Sequence, residues 1–278
     1  MSSDVEAFKE GQRKVWTAGD YADLARTIEE AAGRLLELVG AAAGEDLLDV
    51  ATGTGNLALP AAALGAHVTA LDLTPKLLDT GRARAREAGL EIDFIEGDAE
   101  DLPFAADSFD RVTSCFGVIF APRHAQAASE LTRVARAGAT VGFTAWTPEG
   151  MQGEMFRRIG SYMPPPAPDV GSRLQWGSED HVRELLAHSG AELSFERHTV
   201  TLAHESPESW VAYNERALGP AVMIKAALEP QGRWEQLRGE LVEMYTERNE
   251  ADDGSFSAQA EYLLTVARLP SSEAVDAG

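Results

Sequence analysis

The chain has 278 residues, 44% of them hydrophobic, and a formal net charge of −21. This length and composition predict one large globular domain, or one domain with a substantial insertion. The acidity argues against nucleic acid and anionic membranes as partners, because both would repel the chain. A small-molecule ligand is therefore favoured.

Cysteine and histidine usage exclude further classes of site. Cys115 is the single cysteine, so neither a disulfide framework nor a cysteine-based zinc site is expected. The six histidines lack metal-ligand spacing, and no metal is predicted. The first residues lack the basic and apolar regions of a secretory signal, and no apolar run approaches a membrane span. We expect a cytoplasmic protein that is a monomer or a homodimer.

Two helices are predicted before the first strand, over residues 4–16 and 20–43. Apolar residues recur at helical spacing in the second helix, and Asp20 is its candidate N-cap. Residues 1–44 are therefore expected to form an N-terminal helical lid.

Strand and helix patterns alternate from residue 45 to residue 146. The predicted elements are strand 46–50, helix 56–65, strand 67–71, helix 74–88, strand 92–95, strand 109–115, helix 122–135 and strand 140–146. Repeated strand–helix units imply a parallel sheet with helices on both faces. Ligands of such sheets bind beyond the carboxyl ends of the strands.

The pattern changes after Trp146, where glycine and proline become frequent. Residues 147–255 are expected to be a lid or cap insertion that carries one helix (178–189) and one strand (192–203) of the core. Helices are predicted within 207–250, a final strand (262–267) lies within 256–270, and 271–278 are expected to be a disordered tail. The predicted fold class is α/β, a doubly wound, Rossmann-like sheet of seven mostly parallel strands.

Residues 47–58, Leu-Leu-Asp-Val-Ala-Thr-Gly-Thr-Gly-Asn-Leu-Ala, are the most informative segment. They predict a strand, a tight turn and a helix start. Gly53 and Gly55 let a ligand approach the backbone and allow positive φ. The segment fits the dinucleotide fingerprint G-x-G-x-x-[G/A]. Asp72, at the end of the second predicted strand, lies where a carboxylate binds a ribose.

A second motif bears on the choice of cofactor. Residues 47–58 also resemble motif I of class I S-adenosylmethionine (SAM) methyltransferases. Gly97-Asp-Ala-Glu-Asp-Leu-Pro-Phe104 resembles a later segment of that family, in particular of the branch similar to ubiquinone/menaquinone C-methyltransferases. Asp107-Ser-Phe-Asp110 matches the same branch, and Arg133–Gly138 matches it loosely. An NAD enzyme would not need Gly-Asp-Ala at this place, so the resemblance, which covers about residues 45–146, favours SAM.

The resemblance implies which residues hold SAM. Asp98 would accept a hydrogen bond from the adenine amino group, Asp49 would lie near the SAM amino group, and Asn56 would either contact the cofactor or cap its helix. Ala51 replaces the usual first glycine, which is tolerable if its φ stays negative. The expected cofactor contacts are Tyr21, Asp49, Ala51, Thr52, Gly53, Gly55, Asn56, Asp72, Leu73, Asp98, Ala99 and Cys115.

The expected reaction is a direct, SN2-like methyl transfer to carbon or oxygen of a small acceptor of phenol, quinol, indole or polyketide type. Alignment and desolvation could supply ~7–11 kcal/mol. Tyr21 and His124 are the candidate catalytic residues: Tyr21 reaches the cofactor or the acceptor, or else staples the two helices. His124 is either a general base or a solvent-facing residue at a helix start.

The acceptor pocket is expected to be aromatic. Its candidate residues are Trp16, Phe116, Phe120, Trp146, Met151 and Tyr162, with Met163 and Trp176 as further candidates. Such side chains suit flat ligands. The alternatives that stay open are an NAD-dependent oxidoreductase, a SAM-binding protein without transferase activity, and SAM chemistry other than methyl transfer.

Overall fold

The computed structural model describes residues 3–271, so the predicted tail lies outside the described residues from position 272 onward. Seven strands form one sheet in the order β3-β2-β1-β4-β5-β7-β6. The strands are β1 Asp46–Val50, β2 His67–Asp72, β3 Asp93–Glu96, β4 Phe109–Cys115, β5 Ala135–Trp146, β6 Glu192–His204 and β7 Phe256–Arg268. β1 to β5 pair in parallel, whereas β7 runs antiparallel to β5 and β6. The predicted fold class is confirmed.

Helices cover both faces of the sheet. They are α1 Ser3–Thr17, α2 Tyr21–Ala25, α3 Glu29–Val39, α4 Ala58–Ala63, α5 Pro75–Ala88, α6 His124–Arg133, α7 Met151–Ser161, α8 Glu179–Leu186, α9 Pro207–Ala217, α10 Gly219–Leu228 and α11 Trp234–Glu247. α3 packs against β4 and β5, and α5 packs against β2 and β3. Within residues 3–271, no helix is long and apolar enough to cross a membrane.

The predicted helix over 20–43 is interrupted and ends early. A 3₁₀ turn at Arg26–Ile28 separates α2 from α3, and Gly40, with φ of +66°, ends α3 in the left-handed conformation. Asp20 stands at the N-cap position, but its side chain makes no capping hydrogen bond. Asp20 therefore occupies the predicted N-cap position, but its side chain does not cap the helix.

The predicted helix over 122–135 also runs too far. β5 begins at Ala135, which pairs with Phe109 before a bulge, so the residues between the predicted helix and the predicted strand 140–146 are the start of that strand. β7 is longer than predicted because its first half pairs only with β6, at the edge of the sheet, and not with β5.

The insertion after β5 consists of two excursions. The first carries α7 and α8 and returns as β6, and the second carries α9, α10 and α11 between β6 and β7. The second excursion packs on the N-terminal helices: α10 contacts α1, and α9 contacts α2. Two glycines permit this close approach, because a Cβ at Gly19 would overlap the carbonyl oxygen of Ala217 and one at Gly219 would overlap that of Val15.

Candidate active site

A cleft lies at the carboxyl ends of the central strands and is covered by α1. This is the switch point of the sheet, since the chain leaves β1 toward β2 on one side and β4 on the other. Eleven residues that the sequence predicts as cofactor contacts line it: Tyr21, Asp49, Ala51, Thr52, Gly53, Asn56, Asp72, Leu73, Asp98, Ala99 and Cys115. The remaining one, Gly55, does not line the cleft.

The local backbone and packing explain why position 55 is a glycine. Its φ is +85°, and a Cβ there would overlap the side chain of Leu59. The turn and the packing of Leu59 require a glycine here, and its contact with the cofactor stays a prediction.

The expectation of a negative φ at Ala51 is also wrong. Its φ is +53°, in the left-handed region that costs an L-residue about 1–2 kcal/mol. Gly117 crosses directly over it, and a Cβ on Gly117 would lie 2.5 Å from the Ala51 Cβ and carbonyl oxygen. The loops after β1 and β4 are therefore in tight contact at the base of the cleft.

Two buried carboxylates hold the glycine loop. Asp72 Oδ2 accepts a hydrogen bond from the Gly53 N–H at 2.8 Å, and Oδ1 accepts one from the Thr74 N–H at 2.8 Å. Asp49 accepts a hydrogen bond from the Thr52 hydroxyl at 2.6 Å. Burial raises the pKa of Asp49 to about 7, and the charge of Asp72 adds to this rise. The loop N–H that a pyrophosphate would use is thus already paired with a carboxylate.

α1 closes the cleft through an ion-pair cluster. Lys9 is 3% exposed, and its Nζ lies 2.5 Å from Asp98 Oδ2 and 2.6 Å from Glu100 Oε2. Glu100 also accepts a hydrogen bond from Arg123 Nε at 2.9 Å. Burial alone would lower the pKa of Lys9, but the hydrogen bonds to the two carboxylates raise it above its usual value, so Lys9 is charged.

Sequence reasoning missed Lys9, although a signal exists. Lys9 shares a helical face with Val5, Gln12 and Trp16, at spacings of four, seven and eleven residues from Val5. A lysine between a valine and a tryptophan on one helical face indicates a buried partner.

Asn56 ties the N-terminal helices to the glycine loop. Its Nδ2 donates to the Ala25 carbonyl at 2.5 Å, and its Oδ1 accepts from Arg84 Nη1 at 2.7 Å. The N-cap of α4 is Leu57, so the capping alternative for Asn56 is wrong.

A second cavity of about 650 Å³ adjoins the cleft. The two cavities share five lining residues: Trp16, Tyr21, Ile28, Phe116 and Phe120. The Trp16 ring meets the Tyr21 and Phe120 rings edge-on, with centroids 5.2 and 4.8 Å away. Phe116 stacks on Trp146 at 4.0 Å. Four of the predicted pocket residues, Trp16, Phe116, Phe120 and Trp146, therefore lie together in the second cavity.

The other residues predicted to line the acceptor pocket lie outside both cavities. Met151 is buried at the start of α7 but lines neither cavity. The Tyr162 hydroxyl donates to Glu240 Oε1 at 2.6 Å, outside both cavities. Met163 is exposed, and Trp176 is fully buried against Phe143.

His124 lines neither cavity and is 6% exposed. Its Nδ1 lies 3.0 Å from His181 Nε2, and its ring packs beside Trp176. Burial and, to a smaller extent, the neighbouring His181 lower the pKa of His124 to about 4. The solvent-facing interpretation of His124 is therefore wrong, and its place in the core outside both cavities does not favour a role as general base.

The other titratable groups beside the shared aromatic residues are also neutral. Burial raises the pKa of Tyr21, and the charge of Asp72 adds to the rise. Burial raises the pKa of the Cys115 thiol to about 12. Tyr21 can thus donate a hydrogen bond into either cavity, and Cys115 acts as a small apolar wall residue. Among residues 3–271, no group of three or more His, Cys, Asp or Glu residues could hold a metal ion.

Comparisons with known proteins agree with this geometry. Residues 47–138 match the family model described as a methyltransferase domain. An uncharacterized protein of Mycobacterium tuberculosis is 40% identical over 223 residues, which are 80% of this chain and 81% of the relative. A ubiquinone/menaquinone biosynthesis C-methyltransferase of Rhizobium meliloti is 45% identical over 97 residues, 33% of this chain and 38% of that enzyme.

The fold has solved counterparts as well. The YcgJ protein of Bacillus subtilis superposes with a TM-score of 0.59 at 19% identity and covers 87% of this chain and 98% of its own. At this identity the similarity shows the fold.

Proposed function

Because the chain belongs to the class I SAM-dependent methyltransferase family, we propose that it methylates a small, uncharged, flat acceptor in the second cavity. The cofactor is SAM. The single observation that carries the proposal is that two adjoining cavities share the Trp16, Tyr21, Ile28, Phe116 and Phe120 wall. One cavity fits the cofactor, and the other fits an acceptor.

The residues of the cleft suit SAM in charge as well as in shape. Asp49, Asp72 and Asp98 line it, and its one lining cation, Lys9, is already paired with Asp98 and Glu100 among the residues described. An excess of negative charge favours a ligand that carries a positive sulfonium and an ammonium, and it opposes a pyrophosphate. When bound, SAM supplies an electrophilic methyl group on a sulfonium. Asp98 and Ala99 would hold the adenine, Asp72 the ribose and Asp49 the amino group.

The chain's own contribution is alignment and exclusion of water. The shared aromatic side chains are buried or half-buried and are held by edge-on and stacked contacts, so they can fix the acceptor plane against the cofactor. Tyr21 can donate a hydrogen bond to either ligand, and it is a positioning residue in this proposal.

The second cavity offers no general base. Its polar lining residues in the described chain are Tyr21, Thr27, Gln152, Asn214 and Tyr245, besides the tryptophan N–H groups. Burial raises the pKa of Tyr245 to about 12, and the Trp210 N–H beside it offsets part of the rise. An acceptor that loses a proton on methylation must therefore lose it to water. This favours an electron-rich ring carbon or an acidic phenol over an aliphatic alcohol.

The test combines cofactor binding with product release. Calorimetry should show binding of SAM and of S-adenosylhomocysteine (SAH), but not of NADH. A panel of phenols, quinols, indoles and aromatic polyketides should then include at least one neutral compound that triggers SAH release. SAM binding without SAH release on any compound would instead support a binding protein without transferase activity. We further propose that a small molecule is the sole type of substrate, with neither nucleic acid nor membrane involved.

A further inference from the structure

We propose that Gln152 and Trp210 recognise the acceptor, and that this acceptor is an uncharged aromatic compound carrying both a hydroxyl and a carbonyl group. The inference rests on the proposed function, because it takes the second cavity as the acceptor site. Gln152 comes from α7 and Trp210 from α9, and both line that cavity.

Both residues carry an unpaired buried polar atom. Gln152 Oε1 and Trp210 Nε1 are inaccessible to solvent and have no hydrogen-bond partner. The Tyr245 hydroxyl stands next to Trp210, but no hydrogen bond of normal geometry joins them. Buried polar atoms are nearly always paired in folded proteins, and an unpaired one costs stability. Both residues also line the second cavity, so we infer that an acceptor bound there supplies the missing partners.

Gln152 and Trp210 are the two residues with unpaired buried side-chain atoms that line a cavity in the described part of the chain. In the described part of the chain, the other unpaired buried side-chain atoms belong to His124, Trp176 and Thr265. None of these three residues lines either the cleft or the second cavity. Trp176 is therefore a natural comparison, because its N–H is also buried and unpaired but faces only core.

Two neighbouring polar groups donate hydrogen bonds within the protein. Thr27 Oγ1 donates to the Leu24 carbonyl at 2.7 Å, and Asn214 Nδ2 donates to the Trp210 carbonyl at 2.8 Å. By contrast, the Gln152 oxygen is an acceptor without a donor, and the Trp210 indole is a donor without an acceptor. A ligand hydroxyl can donate to the first, and a ligand carbonyl can accept from the second.

The lining of the second cavity limits the charge of the acceptor. No Asp, Glu, Lys, Arg or His of residues 3–271 lines the second cavity. A carboxylate, phosphate or ammonium on the acceptor would lose its hydration there without gaining a partner. The acceptor is therefore neutral, and its polar groups are few.

Equilibrium binding to the SAH-loaded protein tests the pair without requiring turnover. The probes are 4-hydroxybenzophenone, benzophenone (which lacks the hydroxyl) and 4-benzylphenol (which lacks the carbonyl). We expect the wild-type protein to bind the first about tenfold more tightly than either analogue. Gln152→Leu should abolish the preference for the hydroxyl, and Trp210→Phe should abolish the preference for the carbonyl.

The controls separate recognition from folding and from catalysis. Trp176→Phe removes the same kind of atom from the core and should retain both preferences. Melting curves check that each variant folds, and Gln152→Met replaces Gln152→Leu if the latter does not. A wild-type protein without either preference, or variants that keep both, would overturn the inference. If the wild-type protein shows both binding preferences but releases no SAH from SAM, the roles of Gln152 and Trp210 would be supported and methyl transfer would be refuted.

Discussion

The assignment of Asp72 to the ribose can be tested by replacing it with asparagine. Each carboxylate oxygen already accepts one backbone N–H, from Gly53 or Thr74. A carboxylate offers about four lone-pair sites, so one site on each oxygen is left for the two vicinal ribose hydroxyls. The amide of Asn has only one oxygen, and it must lose at least one of these charged hydrogen bonds, each of which contributes about 1.5–3 kcal/mol.

We expect Asp72→Asn to raise the Kd of SAM about 10- to 150-fold, as that energy implies. It should also lower the free energy of unfolding by about 1–3 kcal/mol, because the new NH₂ group would face a backbone N–H. Calorimetry at constant pH gives the first quantity, and urea unfolding without ligand gives the second. Asp93→Asn, an equal charge change at an exposed position of β3, is the control. A Kd within twofold of that control would refute the ribose assignment.

Four further predictions concern the lid, the core and pH. Lys9→Met should destabilise the fold by about 3 kcal/mol, because it strips a buried cation from two carboxylates; an unchanged urea midpoint would contradict this. Gly117→Ala should cost about 1–3 kcal/mol by overpacking against Ala51, and Ala51→Gly in that background should recover part of the loss in the same assay. The unfolded-state pKa of His124 exceeds its folded value of about 4, so the fold should lose stability as pH falls from 6.5 toward 4. In melting curves, His124→Gln should reduce this loss of stability at low pH. The same variant should leave SAH release unchanged at pH 7.5. The pKa of Asp49 is raised to about 7, and a cation beside it favours the ionised carboxylate. SAM binding should therefore release a proton, and its affinity should rise from pH 6 to pH 8. An Asp49→Asn protein whose binding enthalpy depends on the buffer in the same way as that of the wild type would contradict this.

The sequence was sufficient for the parallel core, and eleven of the twelve residues predicted to contact the cofactor line one cleft. Asp49, Asp72 and Asp98 stand at or just beyond the ends of successive strands, and parallel topology alone brings such positions together. The resemblance to methyltransferases added their roles. The extent of β7 could not be read in the same way, because only its second half is enclosed between two neighbouring strands.

The acceptor side was less accessible to sequence reasoning. Gln152 and Trp210 come from helices far apart in the chain, and only tertiary packing brings them to the second cavity, as it brings Lys9 to the cofactor cleft. His124 failed for a related reason. Its closeness to Phe120 in sequence suggested the pocket, but the 3₁₀ turn at Val118–Phe120 and the start of α6 direct its ring toward His181.

The contact of Gly19 with α9 and of Gly219 with α1 has a consequence for the order in which the protein is made. The two glycines are 200 positions apart, so at about 5–20 residues per second the ribosome needs roughly 10–40 s to pass from one to the other. During that interval α1 and α2 lack the partners that α10 and α9 provide, although the strands from β1 to β5 are already being synthesised. A chain whose translation stops before α10 also lacks β7, so it has neither the complete sheet nor the closed site.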